Sequence, residues 1–311
     1  MAADRRLPSA DHPGATAVLD VAAEDARRVE AGLDALDTAP LLPRKRTPFQ
    51  VFLRSVLPPI VFLALLVLAW QIAFWLDVKE PYALPSPGEV ATKFGEILVD
   101  GRAWTAISTS VSRGILGFLA SLVLGTLIGL AMWRSRWLRA AIGPIISGLQ
   151  SLPSVAWVPA AIIWFGLTSE AIYAVVLLGA VPSIANGLLA GFDQVPPMFE
   201  RVGKVLGLST IGRIRHVMLP GALPGYIAGL KQGWAFSWRS LMAAELIAYS
   251  PMLGIGLGQL LNIGRELNQM ELVITAITLI LIVGIAIDLL VFSPLERRLL
   301  RNRGLTVDRA R

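Results

Sequence analysis

The stretch from Phe199 to Glu245, FERVGKVLGLSTIGRIRHVMLPGALPGYIAGLKQGWAFSWRSLMAAE, wedges a polar, basic segment with helix-breaking punctuation between long apolar runs. From Gly207 there are nine residues to Val217, then Met218, Leu219 and Pro220, so the segment reads Gly, nine residues, Val-x-Leu-Pro. Upstream, Asp193 followed by Pro196 and Pro197 suits a helix start, with an acidic cap and Pro in the first turn, where its missing N–H costs nothing. The spacing predicts a short helix to Leu206, ended by Gly207 in the left-handed conformation. Ser209 then caps a second helix from Thr210 to about Met218. Pro220 and Pro224 punctuate the return to the apolar run. An elbow of this kind, bearing Arg201, Lys204, Arg213, Arg215 and His216, is suited to dock in a cleft of another protein and push on it.

Composition places the elbow in a membrane protein. Hydrophobic residues make up 55% of the 311 and charged residues 16%, and the mean hydropathy of +0.64 is far from that of a soluble domain. The chain has no Cys, which excludes disulfides and Cys-based metal sites or nucleophiles. It contains no GxxxxGK[ST] phosphate loop and no HExxH zinc motif, and its two His, His12 and His216, are far apart in sequence.

Crossing a hydrocarbon core of roughly 30 Å takes about 20 helical residues. Six runs qualify: Val56 to Leu76, Ala106 to Trp133, Ile142 to Leu167, Ala171 to Gly191, Leu223 to Tyr249 and Leu272 to Phe292. The expected fold is an all-α integral membrane protein with six transmembrane helices. Broken or bent helices are expected in the third run, which holds Pro153 and Pro159, and in the fifth, which holds Lys231, Arg239 and Glu245. Counted in alternate segments outside these runs, 21 Lys and Arg fall on one side and 4 on the other. The positive-inside rule puts both termini and the elbow in the cytoplasm. This topology accounts for the net charge of +6, so nucleic acid need not be invoked.

Residues 1–50 do not read as a signal peptide, because acidic and basic residues alternate with no apolar core. They are expected to be a weakly ordered cytoplasmic extension, with residues 51–311 forming the transmembrane domain and 193–220 its loop. Residues 22–36 suit a short charged helix, and the Arg44, Lys45, Arg46 cluster suits a topology signal or contact with anionic lipid.

The fifth run carries three ionisable residues, each of which must face a cavity or a partner. At about 100° per residue, Lys231, Trp234, Trp238 and Glu245 form one stripe, with Arg239 on its flank. Lys231 lies in the cytoplasmic half, Arg239 near the middle and Glu245 about one turn from the external end. All five are candidates for a solute path. Arg239 is the strongest, because a guanidinium presents a planar fork of donors to an oxyanion. The competing role for Arg239 is a structural pair with Glu245 or with a carboxylate of a second copy. Arg113 and Asp288 lie nearer helix ends, where water and headgroups are expected to solvate them. Gly125 and Gly129 make a small-xxx-small pattern suited to close helix packing.

The spacing from Gly207 to Pro220 resembles the cytoplasmic coupling loop of the membrane subunits of ATP-binding-cassette importers. LPSPGEV at Leu84, SVSRGILGF at Ser110, SLPSVAWVPAAIIWFGL at Ser151 and GLKQGWAFSWRSLMAAELI at Gly229 resemble the nitrate, sulfonate and taurine branch of these permeases, over roughly Leu57 to Arg301. The resemblance implies a type I importer permease fold in the plasma (cell inner) membrane. It implies a homodimer, two ATP-binding-cassette subunits that use ATP and Mg, an extracytoplasmic substrate-binding protein, and no cofactor or catalytic residue in this chain. It assigns Glu200, Arg201, Gly203, Gly207, Leu208, Ser209, Arg213, His216 and Pro220 to the coupling loop. Family members carry Glu-Ala-Ala six residues before the loop Gly. Here that triplet is Arg201, Val202, Gly203, with Glu200 displaced by one, so the turn at Gly207 is the part of the loop that carries over.

For the solute, the resemblance favours an aliphatic sulfonate or taurine, then nitrate or bicarbonate, then a neutral vitamin precursor. The rival readings are an ion-coupled carrier working without an ATPase, and a membrane scaffold or intramembrane enzyme. No internal repeat is visible, which weighs against the first rival.

Overall fold

Every regular element described in the computed structural model, which covers residues 57–80, 82–248, 250 and 253–301, is helical. The chain divides into two units, residues 1–61 with 309–311 and residues 62–308. Of the first unit only residues 57–61, the start of helix α1 (Leu57–Trp75), are described. The expected extension 1–50, with its short helix and basic cluster, lies outside the described residues.

Helix α1 is apolar around its whole circumference and buries none of its residues, which suits contact with lipid. Helix α2 (Pro87–Val99) starts with a capping box: the Glu89 amide donates to Ser86 Oγ at 3.2 Å and the Ser86 amide to Glu89 Oε2 at 2.7 Å. Helix α3 (Arg102–Arg134) runs 33 residues, about 50 Å at 1.5 Å per residue.

The third apolar run is broken, as expected. Helix α4 (Arg136–Ser151) gives way to a 3₁₀ turn (Ser154–Trp157) and helix α5 (Val158–Phe165), and the two halves are bent by 101°. Pro153 causes the break by forcing Leu152 out of the helical region, to φ −79° and ψ 130°. Pro159 sits in the first turn of α5, where it removes no bond.

Helix α6 (Ser169–Asp193) buries 15 of its 25 residues, the mark of a central element. Asp193 is its last residue, not the cap of the next helix: a bidentate pair from Arg139 of α4, at 2.9 and 2.6 Å, claims its carboxylate. The elbow helices α7 (Pro197–Val205) and α8 (Thr210–Arg213) follow, and α8 runs through a π turn (Ile214–Met218) into helix α9 (Leu219–Ile247). Contrary to expectation, α9 is one unbroken helix. Pro220 lies in its first turn and Pro224 one turn later, so both missing donors fall next to the junction with the π turn, away from the helix interior. Helices α10 (Leu257–Glu266) and α11 (Met270–Ile287), a π turn (Asp288–Phe292) and helix α12 (Ser293–Arg301) complete the described residues.

Among the described residues, four helices are long and apolar enough to cross a membrane, or five if the bent pair forms one span. Helix α9 is not among them because its polar residues dilute its hydropathy, yet its 29 residues reach about 43 Å.

Helix α6 packs between α3 and α9 along seams of small residues. A Cβ added at Gly191 or Gly229 would strike the backbone of the facing helix, at Ala222 and Gly187 respectively. Gly125 and Gly129 of α3 admit Ile184 and Ala185 of α6 in the same way, as their spacing leads one to expect. Trp133 stacks on Phe192 at 4.3 Å between ring centroids, closing the Asp193 end of this core.

Candidate functional site

The elbow is built by backbone chemistry. Leu208 N donates to Gly203 O and Gly207 N to Lys204 O, both at 3.0 Å, which is the paired-bond C-terminus that needs a left-handed residue. Gly207 supplies it at φ 72°. Ser209 then caps the second helix, accepting from Gly212 N at 3.1 Å.

Arg213 faces inward. It donates to Leu208 O at 3.2 Å, and its methylenes cross buried Gly203, where an added Cβ would lie 3.2 Å from Arg213 Cγ. Arg213 and Gly203 therefore hold the elbow's angle and are not its outward face. Glu200 pairs with Lys204 at 3.3 Å, His216 Nδ1 lies 3.0 Å from Gly212 O, and Arg201 and Arg215 are exposed. Pro220 is exposed in the first turn of α9.

The outward face is apolar as well as basic. Val205 is 87% exposed, Ile211 77% and Leu206 72%, with Met198, Phe199 and Val202 beside them on α7. Exposed apolar side chains clustered in sequence on such an elbow suit contact with a protein partner or with the membrane. The basic residues drew attention away from them, although positions 198, 202, 205 and 206 already follow the helical period.

Four of the five candidate path residues come together. Lys231, Trp234, Trp238 and Arg239 of α9 line an open cavity of about 820 Å³, whose other wall carries Asp288 and Glu296 beside Gly284 and apolar residues. Trp234 and Trp238 stack at 6.1 Å, and Phe118 of α3 meets Trp234 edge-on at 5.4 Å. Lys231 is neutralised there by Asp288 at 3.3 Å and Glu296 at 3.6 Å.

Glu245 does not join this lining. It is fully buried two turns beyond Trp238 and paired with Arg113 of α3 at 2.9 Å. The expected alternative, a pair between Arg239 and Glu245, is thus not formed. The expectation for Arg113 is corrected too: it is 7% exposed and tied to a carboxylate, not solvated at a helix end. Asp288 is accessible, as expected, but serves as a partner of Lys231. Sequence reasoning missed these pairings because the residues lie far apart in the chain.

Comparison with known proteins agrees with this architecture. Residues 121–301 match the family described as binding-protein-dependent transport system inner membrane component. The chain is 31% identical to the taurine transport system permease protein TauC of Escherichia coli (strain K12), covering 79% of this chain and 90% of the relative. It is 29% identical to the putative aliphatic sulfonates transport permease protein SsuC of Bacillus subtilis (strain 168), covering 81% and 88%. It is 28% identical to the nitrate import permease protein NrtB of Synechocystis sp. (strain ATCC 27184 / PCC 6803 / Kazusa), covering 82% and 94%.

Proposed function

The chain belongs to the family of binding-protein-dependent transport system inner membrane components, and from that premise we propose that it forms the translocation path of an ATP-driven importer for a small anionic or zwitterionic solute. The family makes it a multi-pass inner-membrane permease with a type I ABC importer fold. Aliphatic sulfonate or taurine is the first choice of solute, nitrate or bicarbonate the second and a neutral vitamin precursor the third; the names of the taurine, aliphatic sulfonate and nitrate relatives support the first two classes.

The observation that carries this reading is the elbow from Pro197 to Met218: an exposed pair of short helices whose apolar side chains Val205, Leu206 and Ile211 stay largely uncovered among the described residues. Two ATPase subunits would receive the tips contributed by two copies of this chain, and ATP with Mg would be consumed there. A soluble receptor outside the membrane would deliver the solute, and both termini would lie in the cytoplasm.

Co-expression with a matching ATPase subunit and a substrate-binding protein tests the proposal. The expected result is a co-purifying complex with two copies of this chain, which in proteoliposomes accumulates taurine or an alkanesulfonate only when ATP and the binding protein are supplied. Uptake driven by an ion gradient without ATP would support the secondary-carrier reading instead. ATP-driven uptake confined to a neutral vitamin precursor would retain the importer and discard the anionic solute.

A further inference from the structure

Arg239 lines a second cavity as well as the first, and the two differ in chemistry. The second, of about 390 Å³, lies beside the break between α4 and the 3₁₀ turn and is lined by Gln150, Ser151, Ser154, Gly179, Phe236 and Arg239, with no Asp or Glu. The break at Pro153 is exposed in this chain, and irregular backbone at membrane depth needs either a protein partner or a wet cavity beside it.

Hydrogen-bond accounting shows which donors there are uncommitted. The Arg239 guanidinium rests over the Phe236 ring at 4.6 Å, and its Nε donates to Ala235 O at 3.2 Å. Among the described residues its terminal nitrogens make no hydrogen bond and it enters no ion pair, and in this chain the side chain is exposed. Gln150 Oε1 accepts from Asn186 at 2.8 Å and Nε2 donates one hydrogen to Ser183 at 3.3 Å, which leaves its second hydrogen unspent. Ser154 Oγ and Ser240 Oγ lie 2.6 Å apart. One hydroxyl donates to the other, whose own hydrogen remains for a third group. Ser151 is spent on Gly148 O at 2.8 Å.

The compartment depends on Gly179 of α6. An added Cβ there would collide with Ser240 Oγ and lie 3.4 Å from Ser154 Cβ, splitting the hydroxyl pair. The larger cavity offers no such balance, because its other cation, Lys231, is already matched by two carboxylates.

Resting on the importer reading above, we propose that the cavity at the α4 break is an oxyanion-binding station on the solute path, with Arg239 as its charge and Gln150 and the Ser154–Ser240 pair as its neutral donors. A sulfonate, nitrate or bicarbonate group presents three oxygens, enough to take the guanidinium fork on one side and the amide and hydroxyl on the other. A neutral heterocycle would leave the guanidinium uncompensated.

The test uses the complete importer in proteoliposomes, with ethanesulfonate and nitrate as probes. Arg239→Gln is expected to lower uptake of the imported probe at least tenfold, Arg239→Lys less, and Gln150→Leu and Ser154→Ala severalfold, while each variant assembles with its ATPase. Should Arg239→Gln fail to assemble, Ser154→Ala and Gln150→Leu decide the matter. If the parent imports a probe and these variants keep uptake within twofold, the station is wrong although the importer reading stands. If the parent imports neither oxyanion but does import a neutral solute, the solute class proposed above fails first, and the station with it.

Discussion

The guanidinium of Arg113 on α3 donates to Oε1 of Glu245 on α9 at 2.9 Å, deep within the packed helices. The other carboxylate oxygen accepts from Ser110 Oγ at 2.6 Å and from Gly258 N at 3.1 Å, and Ser110 in turn accepts from Leu257 N at 2.8 Å. Arg113 also donates to Leu253 O. Glu245 thus acts as a borrowed cap at the start of α10, where the helix dipole favours negative charge. Gly256 leaves it room, since a Cβ there would lie 2.5 Å from both carboxylate oxygens.

Removing one member of a buried pair strands the other, at about 3 to 5 kcal/mol. Glu245→Gln is therefore expected to destabilise the purified protein by that order in thermal or denaturant unfolding, with part of the loss recovered by adding Arg113→Gln. Arg239→Gln, which breaks no ion pair, is expected to change stability by only about 0.5 kcal/mol. Equal stability of Glu245→Gln and the parent would remove the structural role assigned to this pair.

At the elbow, Gly207→Val forces a β-branched side chain into a conformation that costs roughly 1 kcal/mol or more. The expected outcome is weaker recovery of the ATPase on affinity purification, or ATP hydrolysis no longer coupled to uptake, with membrane insertion unchanged. Ile211→Asp, which places a charge on the exposed apolar tip, is expected to act in the same direction. Normal ATP-driven uptake by both variants would rule out the elbow as the docking element.

Fusions report the topology. A reporter active only outside the cytoplasm is expected to be silent after Arg136 or Arg213 and active after Gly95 or Asn262. An inverted result at any of these positions would overturn the proposed orientation and the six-span reading together.

Much of the architecture was legible in the chain because it depends on neighbours in sequence. Apolar length marked the helices, Pro153 marked the break, and Gly207 with Ser209 marked the turn and the cap: each is a matter of local sterics and backbone donors. The helical stripe likewise grouped Lys231, Trp234 and Trp238 along one wall. Pairing across the bundle was a different matter. Whether Glu245 met Arg239, six residues away, or Arg113, 132 residues away, depended on which helices the small-residue seams bring together. The same holds for Arg139 with Asp193, for Lys231 with Asp288, and for the hydroxyl pair of Ser154 and Ser240. Partner choice among charges follows distance in space and desolvation on packing, and neither quantity exists until the helices are assembled.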